Sequence, residues 1–247
     1  MNAVRAIRAL GPVDARNLRR DAMLRWMVPA PLLVGLVVRY LVPWIAVLLQ
    51  QRVGFDLRPY YALISSFLLM LSPMLVGMVF GFLLLDQRDD QTLTALQVTP
   101  LSLNGYLTYR ISLPVVLAAF QSMVMIPLAG LEPVNGLALV FGALAAAPLA
   151  PLMAVFYATA ATNKVEGFAV MKISGILFVP PLIAYFVQSN WQWAFGLMPT
   201  YWPIKVYWLF QTGSGLAWLA LGVGLWYQVG LMAVLLRRFN RVMHSGD

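Results

Sequence analysis

From Tyr61 to Leu85 the chain runs for 25 residues without a formal charge. Roughly 20 apolar residues in a helix cross the hydrocarbon core of a bilayer, so a run of this length predicts a membrane span. Further apolar runs follow it, which makes lipid the main solvent against which the chain folds. The composition agrees: 61% of residues are hydrophobic and 11% are charged.

Six spans are predicted: Met23–Ala46, Tyr61–Leu85, Ile111–Leu128, Gly136–Ala158, Phe168–Val187 and Leu216–Leu236. Pro73, Pro148, Pro151, Pro180, Pro181, Gly77 and Gly81 fall inside them. Membrane helices tolerate such residues where neighbours satisfy the freed backbone groups. The runs are long and continuous rather than alternating, which argues against a β-barrel. The expected fold is an all-α membrane protein of one domain over 1–247. Residues 1–22 form a cytoplasmic amphipathic segment, 23–236 a six-span bundle and 237–247 a cytoplasmic tail.

The net charge of +8 would point a soluble protein toward nucleic acid. Here the basic residues flank apolar runs, so an anionic membrane surface is the simpler partner and no nucleic acid is expected. Arg5, Arg8, Arg16, Arg19, Arg20, Arg25, Arg88, Arg110, Lys164, Lys172, Arg237, Arg238 and Arg241 fall on one side of the six spans. Only Arg52, Arg58 and Lys205 fall on the other, with Arg39 in or near the first span. The excess of Lys and Arg predicts a multi-pass protein of the plasma (inner) membrane with both termini cytoplasmic. The basic N-terminus lacks an apolar core followed by a small-residue cleavage site, so no removable signal peptide is expected.

Several chemistries are disfavoured. There is no cysteine, hence no disulfide, thiolate catalyst or Cys-bound metal. No acidic residue lies deep in a predicted span, which weakens an ion-coupled transporter. The lysines follow Asn163, Met171 and Ile204, never the glycine of a phosphate-binding loop, so no ATP is bound in that manner. Ser214, between Gly213 and Gly215, is remote from the single histidine, His244 in the opposite tail, which argues against a serine nucleophile. No His, Asp or Glu cluster suggests a metal. The chain is not expected to be an enzyme or to bind a cofactor.

Four polar or aromatic segments carry the functional reading. Val13–Trp26 mixes Leu18, Met23, Leu24 and Trp26 with arginines, as an interfacial amphipathic helix or a basic topology anchor would. In Asp86–Arg110, Asp89 and Asp90 precede a short helix with Leu93 and Leu96 on one face. Pro100 stops that helix and Ser102 can cap the next. The result is a helix, a sharp turn and a helix, read either as a foot that docks on a partner or as a structured loop packed on its own protein. In the third segment, Lys164 and Glu166 either decorate the surface or touch a partner, while Lys172 snorkels. Finally, Gln188–Gly215 is rich in Trp and Tyr and punctuated by Pro199 and Pro203. It predicts short external helices dipping into the outer leaflet, which either cover a pathway mouth or form a simple aromatic belt. Arg39, measured from Arg25, falls roughly 21 Å along a continuous helix, either snorkelling outward or facing a polar cavity.

The run DDQTLTALQVTPLS (Asp89–Ser102) resembles the loop after the second span of type-2 ABC exporter permeases. NKVEGFAVMK (Asn163–Lys172) and MPTYWPIK (Met198–Lys205) resemble the fluoroquinolone-export branch of that family. Gln91 and Thr94 replace the family's usual Gly and Glu. The resemblance implies a permease subunit that exports a lipophilic or amphipathic solute, pairs with a second permease subunit and is driven by separate ATPase subunits holding ATP and Mg. It makes Asp89–Val98 the coupling helix, with Asp89, Asp90, Thr92, Leu93, Leu96, Thr99 and Pro100 at the ATPase. Asn163, Lys164 and Glu166 become a second contact. Spans two and five are expected at the dimer interface, and Arg39, Tyr201 and Trp202 are candidates for the pathway or gate. The alternatives are a haem- or cell-surface-lipid-exporting permease of the same superfamily, or a non-transporting scaffold.

Overall fold

A computed structural model describes residues 11–12, 14–17, 19–89, 103–187 and 189–244. Six helical segments in it are long and apolar enough to cross a membrane: Ala30–Val53, Arg58–Gln87, Tyr109–Ala129, Gly136–Ala160, Lys164–Phe186 and Leu216–Phe239. They are called spans 1 to 6 below. All sit where the apolar runs placed them, with one substantial shift. Span 1 starts at Ala30 rather than Met23, because Val28 and Pro29 form a turn that separates it from the short helix Ala22–Met27. Its far end is closed by Gly54 at φ 70°, whose N–H bonds to Gln50 O. Glycine takes that left-handed conformation without steric cost.

Span 2 is the axis of the bundle. In its most apolar stretch 83% of residues are buried, against 67% for span 4 and 11%, 22% and 17% for spans 1, 5 and 6. It packs along spans 4 and 3; span 1 leans on span 3, and span 6 on span 4. Most of the surface of span 2, expected at a dimer interface, is covered by its own subunit. Exposed apolar side chains sit on the other spans, among them Val37 and Trp44 of span 1, Val116 and Phe120 of span 3, Ile173 and Ile176 of span 5, and Trp226 and Val229 of span 6. Lipid covers such surface without the cost that water would impose.

The contact between spans 2 and 4 is made possible by Gly77 and Gly81, one helical turn apart. A methyl group built on Gly77 would stand 2.6 Å from the Ala150 carbonyl oxygen, and one on Gly81 would stand 2.9 Å from Tyr157 Cβ. The spans are also joined where backbone groups lose their helical partners. Pro73 has no N–H to offer the Leu69 carbonyl four residues earlier, and Ser122 Oγ of span 3 donates to it at 3.1 Å. Span 4 breaks at Ala147–Pro148, and Gln228 Nε2 of span 6 donates to Ala145 O at 3.0 Å. Gln121 Nε2 reaches Val28 O in the turn before span 1 at 2.8 Å while Ser72 Oγ donates to its Oε1 at 2.9 Å.

Between spans 5 and 6 stand a 3-10 helix, Asn190–Leu197, and an α-helix, Tyr201–Gln211, at the end of the bundle away from both termini. The α-helix packs against the Gly136–Ala146 half of span 4 and against span 6. Gln211 and Asn135 knit its end to the loop between spans 3 and 4: Gln211 Nε2 donates to Pro133 O and Asn135 N to Gln211 Oε1.

Gly77→Leu is expected to cost about 2 kcal/mol through overpacking against a backbone carbonyl that cannot move aside. Gly222→Ala, which meets nothing within 4 Å, should be neutral or slightly stabilising. Thermal unfolding of the detergent-solubilised chain distinguishes the two.

Candidate functional site

The end of the bundle that carries both termini is held by two sets of charges. The N-terminal segment is helical at 14–17 and 19–20, with Arg16, Arg19, Arg20 and Arg25 exposed while Leu24 and Met27 are buried. Of the apolar residues the sequence reading named here, Leu24 is buried, Trp26 is exposed, and the side chains of Leu18 and Met23 lie outside the described residues. Asp14 is buried and accepts hydrogen bonds from Tyr109 Oη at 2.8 Å and from Arg110 Nη1 and Nη2 at 2.9 and 3.1 Å. A two-pronged arginine–carboxylate pair fixes orientation as well as position. It pins the N-terminal segment to the first turn of span 3.

The second set centres on Lys164, the first residue of span 5. Its Nζ lies 3.0 Å from Asp21 of the N-terminal segment and 2.9 Å from Asp86 at the end of span 2. A cleft of about 310 Å³ opens here, lined by Asn17, Arg20, Asp21, Asp86 and Lys164. Lys164 is thus a bridge between three segments rather than a surface decoration. Its sequence neighbours organise the start of the helix. Asn163 is the N-cap, its side-chain oxygen accepting from Glu166 N at 3.0 Å, and Glu166 Oε2 accepts from Thr162 N and Oγ1. This is a capping box with its return bond displaced by one residue. Gly167 then lets span 5 approach span 2, because a methyl there would stand 2.7 Å from Phe82 Cε1.

Of the sequence-predicted docking residues, Asp90, Thr92, Leu93, Leu96, Thr99 and Pro100 lie outside the described residues, and Asp89 is described as helical backbone only. What the structure gives is their anchorage. Span 2 runs as helix to Asp89 and the next helix begins at Leu103, and Asp86 and Arg110, flanking the segment, are both ion-paired.

The pathway candidates are scattered. Arg39 is nine residues into span 1, about 14 Å along it rather than 21 Å, because the helix starts later than the sequence suggested. Its Nη1 donates to Leu128 O at 3.1 Å, beside Gly130. A cation at the carbonyl end of span 3 complements that helix's dipole. Tyr201 and Trp202 are buried inside the subunit and are not lining an open mouth. Trp202 Nε1 donates to Gly196 O at 2.8 Å, and its ring fills the space left by Gly196 and Gly224.

Asp14, Asp21, Asp86, Tyr109 and Arg110 escaped the sequence reading. A usable signal existed: Asp14 and Asp21 are the only acidic residues ahead of Asp56, in a segment otherwise rich in arginine. An isolated carboxylate in such a segment has reason to be paired. Among the described residues there is no group of three or more His, Cys, Asp or Glu side chains able to hold a metal ion.

Residues 14–236 match a family described as "Fluoroquinolones export permease protein Rv2686c-like". The chain belongs to that family of ABC-2 permeases. It is 36% identical over 249 residues to Fluoroquinolones export permease protein Rv2686c of Mycobacterium tuberculosis strain H37Rv, covering 98% of this chain and 96% of the relative. Fluoroquinolones export permease protein MT2760 of strain CDC 1551 / Oshkosh matches to the same degree. No solved structure matches. The matched range starts at Asp14, the buried carboxylate, so the N-terminal segment belongs to the family's domain.

Removing one partner of a buried ion pair strands the other charge, at a cost of about 3 kcal/mol. Arg110→Met is therefore expected to lower the unfolding midpoint of the solubilised permease markedly. Asp14→Leu combined with Arg110→Met should recover most of the loss, which a double-mutant cycle on thermal unfolding reads directly.

Proposed function

We propose that this chain is the membrane-spanning half of an ATP-driven exporter, that two permease subunits form the pathway, and that two separate ATPase subunits bind ATP and Mg beneath them. The observation that carries the reading is the combination of family membership with a braced charged face. The chain has no phosphate-binding loop of the Gly-x-x-x-x-Gly-Lys type, so work must enter from outside it. Three segments that would receive that work are tied together by ion pairs: the N-terminal segment, the end of span 2 and the start of span 5.

In this reading Asp89–Val98 is a coupling helix whose Leu93 and Leu96 seat in an ATPase groove, and Asn163–Gly167 forms a second contact. Closure of the ATPase pair moves the helix as a lever, and spans 2 and 5 carry the movement into the bilayer. Both termini are cytoplasmic in a plasma membrane. The cargo is a lipophilic or amphipathic drug-like solute, with fluoroquinolones, named for the relatives, the first class to test. The scarcity of charge within the spans suits such cargo better than inorganic ions.

Replacing Leu93 and Leu96 by Asp puts two charges on the apolar face proposed to dock. Co-purification of the ATPase subunit is expected to fall at least about ten-fold, and hydrolysis stimulated by the permease should fall with it, since 1.4 kcal/mol of lost contact already gives that factor. Wild-type levels of both would remove the docking assignment.

A further inference from the structure

At the end of the bundle away from both termini, a second cavity of about 350 Å³ opens between spans 2 and 5 and the helix Tyr201–Gln211. Its lining includes Tyr185, Gln192, Lys205, Trp208, Gln211 and Thr212. We propose that this cavity binds a planar aromatic carboxylate, with the anion at Lys205 and the ring against Tyr185 and Trp208.

Four observations carry the assignment. Lys205 is the cation of the lining, and among the described residues no carboxylate lies within ion-pair distance of it; its Nζ is held by Gln192 Oε1 and stands 5.1 Å from the centre of the Trp193 ring. Burial pushes its ammonium below the ordinary lysine range, and an anion beside it would oppose that shift. The Trp208 indole N–H is buried without a hydrogen-bond acceptor among the described residues, and a buried donor left unpaired is costly. Lastly, Tyr185 and Trp208 meet edge to face with centroids 5.3 Å apart, giving an aromatic wall. Glu132, the carboxylate near Tyr185, is engaged by Tyr207 Oη at 2.9 Å and stands outside the lining. Pockets of this size hold small aromatic ligands.

The site rests on the exporter reading only for its place in a transport cycle, as a station at the exit; the binding itself does not require it. The test uses the full chain in phosphatidylcholine nanodiscs, without any ATPase, and equilibrium dialysis of radiolabelled 2-naphthoate against 2-naphthamide. The acid should bind at least ten-fold more tightly than the amide. Lys205→Met should abolish that preference and Lys205→Arg should keep most of it. Trp208→Phe, which keeps a ring and removes the N–H, should weaken the acid about three-fold or more. Equal affinity for acid and amide, or an unchanged preference in Lys205→Met, overturns the proposal. So does loss of naphthoate binding in nanodiscs containing phosphatidylglycerol, because the cavity would then belong to a lipid headgroup. Should Lys205→Met fail to fold, the Trp208→Phe result decides. Binding that survives while ATPase co-purification fails would leave the site standing and remove the exporter reading; the converse would remove the site alone.

Discussion

A hydrocarbon core offers no water to a stranded backbone carbonyl, so every break in a span must be mended from within the protein. The structure meets this constraint with amides and hydroxyls borrowed from neighbouring helices. Ser122 serves Leu69, which Pro73 cannot serve; Gln228 serves Ala145 at the break in span 4; Gln121 serves Val28 at the turn into span 1. Each repair joins two spans at a fixed height, so these buried polar bonds set register as well as satisfying chemistry. Span 5 is tied in the same way, by Tyr157 Oη to Ser174 Oγ at 2.7 Å and by Tyr185 Oη to Pro59 O at 2.8 Å.

Fixed register has a mechanical consequence. Span 2 approaches span 4 so closely at Gly77 and Gly81 that neither can rotate past the other without a carbonyl or a tyrosine Cβ in the way. Span 6 is joined to span 4 in turn, through Gln228 at Ala145 O. Span 5 is joined to the same end of span 2 differently, by the half-exposed Lys164–Asp86 pair. Half-exposed ion pairs are weak and exchange readily with water. Packing thus makes spans 2, 3 and 4 one body and also holds span 5 to it, through Gly167 and Phe168 against Phe82 and through Tyr157 Oη at Ser174 Oγ.

The sequence carried the architecture well, because lipid imposes one rule on long uncharged runs and six such runs are present. It erred at the start of span 1. Hydropathy does not register that Val28–Pro29 is a turn, and the distance to Arg39 inherited the error. The aromatic segment before span 6 was legible as short helices, but its burial was not: Tyr201 and Trp202 are as interfacial in composition as any exposed belt, and for Trp202 it is the glycines opposite, Gly196 and Gly224, that make room for the ring to turn inward. The terminal face was half legible. Asn163 and Glu166 sit at capping-box spacing, but Asp14 and Arg110 are 96 residues apart. No local pattern announces a pair at that separation.

The two faces of the bundle differ in a way that bears on direction. At the terminal face, Asp14 holds Arg110, and Asp21 and Asp86 hold Lys164, so these basic groups are answered by carboxylates of the same chain. At the opposite face Lys205 is met by an amide and an indole ring, and no carboxylate among the described residues takes up its charge. An anion arriving at the first face must displace an internal partner, whereas one arriving at the second need displace only a neutral one. The cost of exchanging a carboxylate for a carboxylate is small but unrewarded; a cation with a neutral partner gains by the exchange. Lys205 is therefore a cation that gains by taking up an anion, while at the terminal cleft Lys164 is already paired and the exposed Arg20 stands beside it.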